Sequence, residues 1–329
     1  MKAVLARHIF CFVFPILFAL YLFPILIKIA TRFNILDNPD GRVKIHKNPV
    51  PYLGGLGIYI PFIATLAIAY PFDNYILWLL LGVTFLLFVG LIDDLKALKP
   101  LQKFAGQIIA VICFLKGGYA LKHIFFSDIL NVFVSAFWML SVINAFNLID
   151  IMDGLLATVS ILSGVSFFVV ALYLKQYTLS ILILTFISPF FVFLFYNKPD
   201  AKIYSGDAGA LFAGGFFAAI PQLFNWSNIS HLAYYTPAIL LAIPMLEILF
   251  LVIIRTYKKM PFYRPSPDHF ALYLKRKKWA VIKILKFVFL ISIILFIVSI
   301  LFLLKIISFN VLILFGILFL LFWTYIIYF

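Results

Sequence analysis

Apolar residues come in long runs along this chain, and polar residues gather in the gaps. The first run, Ile9 to Ala30, is about 22 residues long, which exceeds the apolar centre of a secretory signal peptide, and no small-residue cleavage site follows it. It is therefore predicted to span a membrane. Further spans are predicted at 52–70, 76–92, 104–121, 129–147, 154–174, 178–195, 209–225, 233–254, 280–304 and 307–328, eleven in all. Lys116 and Gly117-Gly118 cut the 104–121 segment short. Each run meets or approaches the ~20 residues that a transmembrane helix needs. The pattern predicts an all-α, polytopic integral membrane protein, with residues 1–329 forming one multi-span domain.

Composition excludes the main alternatives. Of 329 residues 65% are hydrophobic and 12% charged, whereas a soluble domain has about 45–50% apolar and 25% charged residues. A soluble globular enzyme and a disordered chain are both ruled out. The 40 phenylalanines are expected to fill lipid-facing surface. Cys11 and Cys113 both lie in apolar runs, so no disulfide framework or CxxC metal pair can form. The five histidines never fall at a zinc-ligand spacing.

The net charge of +14 would suggest nucleic-acid binding in a soluble protein. In a multi-span chain the basic residues serve better as topology anchors, and no nucleic-acid partner is expected. Loops 31–51, 93–103, 148–153, 196–208 and 255–279 carry 17 Lys/Arg, against six on the other side. The positive-inside rule makes the first set cytoplasmic; Lys2 and Arg7 run against it. Nine of the twelve acids fall in the same loops. Acids contribute little to topology, so a cytoplasmic-face active site is one cause, and ordinary solvation of longer loops is the other.

Several polar clusters carry candidate chemistry. Asp93-Asp94 closes the third span, and like charges side by side shift a pKa or recruit a cation; Lys96, Lys99 and Lys103 follow. Asn144, Asn147, Asp150 and Asp153 recur every third position, which on a helix forms one stripe. Its nearest basic residues in sequence are Lys122 and Lys175. Unpaired carboxylates at a membrane edge are costly, so packing alone is a poor explanation for both Asp. Asp207 sits between Gly206 and Gly209 before a predicted helix start, where backbone N–H groups favour phosphate. The 255–279 loop, with Arg264 and His269, reads either as a polybasic collar on anionic lipid or as a clamp for a phosphate.

These stretches together resemble a known family, the polyprenyl-phosphate N-acetylhexosamine 1-phosphate transferases of glycosyltransferase family 4 type. The matching motifs run in order: Arg42…His46…Pro49-Val-Pro51…Gly54-Gly55; Gly90-Leu-Ile-Asp93-Asp94 with Lys103…Gln107; Asn144, Asn147, Asp150 and Asp153-Gly154-Leu155; Asn197-x-Pro199…Gly206-Asp207-x-Gly209; Pro244…Glu247…Arg255; and Ser266-Pro267-Asp268-His269. They cover about residues 35–280, and the two C-terminal spans in 281–329 carry none of them.

The resemblance implies that a UDP-N-acetylhexosamine gives its sugar phosphate to a polyprenyl phosphate at the cytoplasmic face of the inner membrane, releasing UMP. It implies Mg²⁺ on Asp207 and Asn147, with Mn²⁺ as a substitute. Asp93, Asp94, Asp150 and His269 are implied as catalytic. Lys103 would hold the pyrophosphate. Asp153, Gly154 and Asn197 would lie by the uridine, with Tyr204 stacking on uracil. Arg264, with His269, would contact phosphates or sugar, and Asn144 and His46 complete the substrate-binding set. A homodimer is one assembly such a chain could adopt. Direct attack by the lipid phosphate is the simpler mechanism, and a covalent Asp intermediate is the other. The single His269, where the phospho-N-acetylmuramoyl-pentapeptide branch has a run of histidines, favours UDP-N-acetylglucosamine as donor. The muramoyl-pentapeptide reaction is the competing assignment, and a cation-coupled transporter or a non-catalytic scaffold is more distant. Glu247 stands where relatives commonly carry Asp, so its role is left open.

Overall fold

The chain folds into a bundle of thirteen α-helices with one short hairpin among the described residues. The computed structural model describes residues 2–37, 49–70, 72–121, 126–261, 263–264 and 266–328. Helix α1 (Lys2–Arg32) leads to strands β1 (Leu36–Asp37) and β2 (Val50–Pro51), which pair antiparallel with Leu36 opposite Pro51. There follow α2 (Gly54–Ala69), α3 (Asn74–Leu95), α4 (Pro100–Lys116), α5 (Asp128–Ile149), α6 (Leu155–Tyr173), α7 (Tyr177–Asn197) and α8 (Gly206–Ala219). Three short 3₁₀ turns then lead to α9 (Thr236–Leu240), α10 (Ala242–Tyr257), α11 (Phe270–Arg276), α12 (Val281–Leu303) and α13 (Phe309–Tyr328).

Local chemistry sets several of these boundaries. Asp73 accepts from the Ile76 backbone N–H and starts α3, and Ser127 accepts from that of Leu130 and starts α5. Pro100 occupies the first turn of α4, where its missing N–H costs nothing. A 74° bend separates α9 from α10. Pro244 lies three residues into α10, and a proline ring displaces the carbonyl four residues back, here that of Leu240.

All eleven expected segments contain helix, but the count of eleven spans is not confirmed. Among the described residues, seven helices are long and apolar enough to cross a membrane, namely α1, α3, α5, α6, α7, α12 and α13. The bent α9–α10 pair makes an eighth if it counts as one span. Helices α2, α4 and α8 have 16, 17 and 14 residues. At 1.5 Å per residue that is roughly 21–26 Å, short of a ~30 Å hydrocarbon core.

Helix α8 is short because it is interior. Every residue from Ala208 to Ala219 is buried, and α2, α3 and α5 pack around it. A helix apolar on all sides belongs inside a protein as readily as in lipid. Its phenylalanines anchor an aromatic core: Phe186 stacks on Phe216 with ring centroids 3.6 Å apart, and Phe146 on Phe217 at 4.9 Å. Part of the phenylalanine content thus fills the interior, where lipid-facing surface was expected. Phe133 and Phe137 do remain exposed.

Candidate active site

Three helices, α3, α4 and α5, bring polar residues to the start of α8. Lys103, in the first turn of α4, places Nζ 2.9 Å from Asp93 Oδ2 and 2.8 Å from Asp207 Oδ1. Asn147, near the end of α5, donates its Nδ2 to the same Asp207 oxygen at 2.5 Å. Lys103 thus supplies in space the cation that the aspartates of α3 and α8 share. The Asp207 side chain is 31% exposed, against 11% for Asp93 and 19% for Lys103, so Asp207 is the member most open to a ligand.

The adjacent acids of α3 do different things. Asp94 turns toward α8: its Oδ1 accepts from the Asp207 backbone N–H at 2.8 Å and its Oδ2 from that of Ala208 at 3.2 Å. It caps a helix 113 positions away, where a carboxylate complements free N–H groups and the helix dipole. Asp93 reaches the other way, accepting from the Leu98 backbone N–H at 2.7 Å and pinning the turn that leads to Lys103. The approach of α3 to α8 is close enough that a Cβ on Gly90 would strike the backbone of Asp207 and Ala208. Gly206 has φ +65°, and a Cβ there would collide with the Asp94 carboxylate.

Asn144 forms a reciprocal amide pair with Gln107, donating to Oε1 at 2.7 Å and accepting from Nε2 at 3.2 Å. The pair joins α4 to α5 one turn from both Lys103 and Asn147. In the structure Asn144 therefore holds helices in place.

The stripe read from the sequence does not continue as helix. Only Asn144 and Asn147 lie on α5, which ends at Ile149; Asp150 and Asp153 lie in the turn beyond it. That turn is closed by Gly154 at φ +75°, a region glycine adopts without penalty. Asp150 Oδ2 accepts from Ser205 Oγ at 2.5 Å. Burial, joined by the nearby charges of Asp207 and Asp153 and opposed by the Ser205 hydrogen bond, pushes the Asp150 carboxyl up to about 7. Asp153 accepts from the Ala201 backbone N–H at 3.2 Å. Asn197 accepts from the Gly154 N–H and donates to the Ile203 carbonyl, both at 2.9 Å. It is buried, and both ends of its amide tie the turn after α5 to the loop before α8. Tyr204 extends β2 by donating its backbone N–H to the Pro51 carbonyl. Burial, with the charges of Asp153, Asp37 and Asp150, raises its phenol above the usual range.

Residues 76–225, which contain the whole of this cluster, match the family model for glycosyl transferase family 4. The chain is also 30% identical over 305 residues to a probable undecaprenyl-phosphate N-acetylglucosaminyl 1-phosphate transferase of Bacillus subtilis, covering 88% of this chain and 84% of that protein. The chain belongs to glycosyl transferase family 4. It is 30% identical over 270 residues to an undecaprenyl-phosphate alpha-N-acetylglucosaminyl 1-phosphate transferase of Thermotoga maritima, with 80% and 82% of the two chains covered. A phospho-N-acetylmuramoyl-pentapeptide-transferase of Listeria monocytogenes is also 30% identical, over 233 residues and 61% and 68% of the two chains.

The remaining expected site residues of this family member lie elsewhere. His269 Nδ1 is 2.6 Å from Glu247 Oε1, and among the described residues no hydrogen bond or ion pair links this pair to the aspartate cluster. Arg264 is exposed, and its side chain makes no such contact among the described residues. His46, with Arg42, lies outside the described residues. Two further polar residues, Ser205 and Glu247, take part without an expected role from the sequence. Ser205 directly precedes the singled-out Gly206-Asp207, and Glu247 was the one acid lying within a span.

No three His, Cys, Asp or Glu side chains form a ready-made metal cage among the described residues. The donor chemistry nonetheless suits Mg²⁺, which takes one or two carboxylates and fills its shell with water and phosphate oxygens. Asp207 and Asp93 converge on one cation already, the Lys103 ammonium, with the Asn147 amide alongside.

Proposed function

We propose that this chain transfers N-acetylglucosamine 1-phosphate from UDP-N-acetylglucosamine to undecaprenyl phosphate, forming a lipid-linked sugar pyrophosphate and releasing UMP. The observation that carries this is the Lys103 ammonium clamped between Asp93 and Asp207 at the start of a buried helix. Phosphoryl transfer asks the protein mainly to position its reactants and to stabilise charge, and this cluster supplies both signs of charge on fixed helix ends. The names of the Bacillus and Thermotoga relatives support the choice of donor and acceptor. The excess of Lys/Arg in the loops on this side supports a cytoplasmic face of the cell membrane.

In this reading an oxygen of the lipid phosphate bonds to the sugar-bearing phosphorus, and the bridging oxygen of the pyrophosphate leaves with UMP. Lys103 exchanges an Asp partner for a pyrophosphate oxygen and offsets its charge. Asp94 fixes the first turn of α8 through the Asp207 and Ala208 N–H groups, so Asp207 is presented at a constant position. The turn of Asp153 and Gly154, tied down by Asn197, and the neighbouring Tyr204 take the uridine end. Mg²⁺, when bound, would be held by Asp207 with Asn147 and Asp93 and would neutralise pyrophosphate charge.

The test is UMP release by purified protein with undecaprenyl phosphate and a set of UDP-sugars, with and without Mg²⁺. The expected result is metal-dependent release with UDP-N-acetylglucosamine. Release only with UDP-N-acetylmuramoyl-pentapeptide would move the chain to the other branch. No release with any donor would remove the transferase assignment.

A further inference from the structure

Glu247 lies on α10 with 1% of its surface exposed, and it is the only glutamate in the chain. A buried carboxylate is costly unless it is fully hydrogen-bonded. Both of its oxygens are used: Oε1 is 2.6 Å from His269 Nδ1, and Oε2 accepts from the Phe270 backbone N–H at 3.2 Å. His269 is itself buried, at 6% exposure, and among the described residues its Nε2 has no hydrogen-bond partner. The segment before it is tied down on both sides. Lys258 Nζ meets Asp268 Oδ1 at 2.7 Å, the Tyr273 hydroxyl donates to the same oxygen at 3.3 Å, and Arg255 Nε donates to Ser266 Oγ at 2.9 Å. On the far side Trp323 of α13 packs on Phe270, with ring centroids 5.1 Å apart.

We propose that Glu247 is a positioning residue whose carboxylate holds the proton of His269 on Nδ1, leaving Nε2 as the ring nitrogen that meets a phosphate or sugar oxygen of the substrate. This rests on the transferase reading above. A carboxylate on one ring nitrogen selects the tautomer and orientation of the other, as in carboxylate–histidine pairs at metal and catalytic sites. Neutral histidine in water favours the opposite tautomer, so the pair has a detectable signature. Charged and titratable groups around it are Arg255 and Lys258 from α10 and its end, Asp268 beside it, Tyr273 on α11 and Tyr328 on α13.

The test has two arms. In ¹⁵N-histidine NMR of the full-length protein in detergent at pH ~8.5, above the ordinary histidine range, the His269 signal should report a proton on Nδ1; its absence in His269→Gln identifies it. Glu247→Gln should move the proton to Nε2. In UMP-release kinetics, Glu247→Gln should lower kcat on the order of 10–100-fold, with little further loss when added to His269→Gln, as expected for residues acting as one unit. A wild-type proton on Nε2, or losses that multiply in the double variant, would overturn the proposal. The tautomer is read on the wild-type protein, so this arm stands if Glu247→Gln fails to fold. It also stands if wild-type protein releases no UMP, the outcome that would instead sink the transferase reading.

Discussion

At the scale of single residues, the site divides into groups that face a ligand and groups that hold those in place. Asp94 spends its carboxylate on the α8 backbone and Asn197 spends its amide on two loops, whereas Asp207 stays open. Sequence alone could not make that division, because an Asp that caps a helix and an Asp that binds a cation look identical until their partners are known. Asp150 offers a test that needs no substrate. Its folded-state carboxyl is raised to about 7 by burial and neighbouring acids, so the fold favours the neutral form. That contribution is present in full below the ordinary Asp range and is lost as pH rises through about 7. Without divalent metal, the thermal midpoint of wild-type protein should fall between pH 6 and 8 relative to Asp150→Asn. Parallel curves for the two proteins would contradict the assignment.

At the scale of helices, α8 organises the centre. The sequence shows where it starts, through Gly206-Asp207, but not its depth, since an interior helix and a membrane span share the same apolar content. The same limit applies at α2 and α4, whose 16 and 17 residues fall below the length of the seven clear span candidates. Pro244 stands at the break between α9 and α10, where the sequence predicts one span over 233–254; the period of three from Asn144 to Asp153 runs past Ile149 and so joins a helix to a turn. What no local pattern reveals is the backbone-to-backbone contact of α3 with α8. Gly90→Ala would put a methyl group against the Asp207–Ala208 backbone, which cannot yield as a flexible side chain would. The expected cost is about 1–3 kcal/mol, read as a lower thermal midpoint together with loss of UMP release through the displaced Asp94 cap. Unchanged stability and activity would show that the two helices are not so tightly joined.

At the scale of the molecule, the C-terminal helices acquire a part that their sequence did not suggest. Beyond Trp323 on Phe270, Tyr328 packs on Tyr273 with ring centroids 4.9 Å apart, and Lys277 Nζ donates to the Ile326 carbonyl at 2.9 Å. Helix α13 thus braces α11, the short helix that follows His269. Trp323→Ala should loosen that brace and lower UMP release on the order of tenfold, the effect of about 1.4 kcal/mol at the barrier. Wild-type kinetics in that variant would confine α13 to the lipid boundary.

The central claim is that the Asp207–Lys103–Asp93 cluster is the centre of sugar-phosphate transfer. It is tested most directly by UMP release from UDP-N-acetylglucosamine and undecaprenyl phosphate in purified wild-type and Asp207→Ala protein, with thermal unfolding as the control for folding. The account predicts release by the wild type and a loss of at least ~1,000-fold in the folded variant, the scale at which a major charge-stabilising group contributes. Full activity in folded Asp207→Ala protein would contradict it.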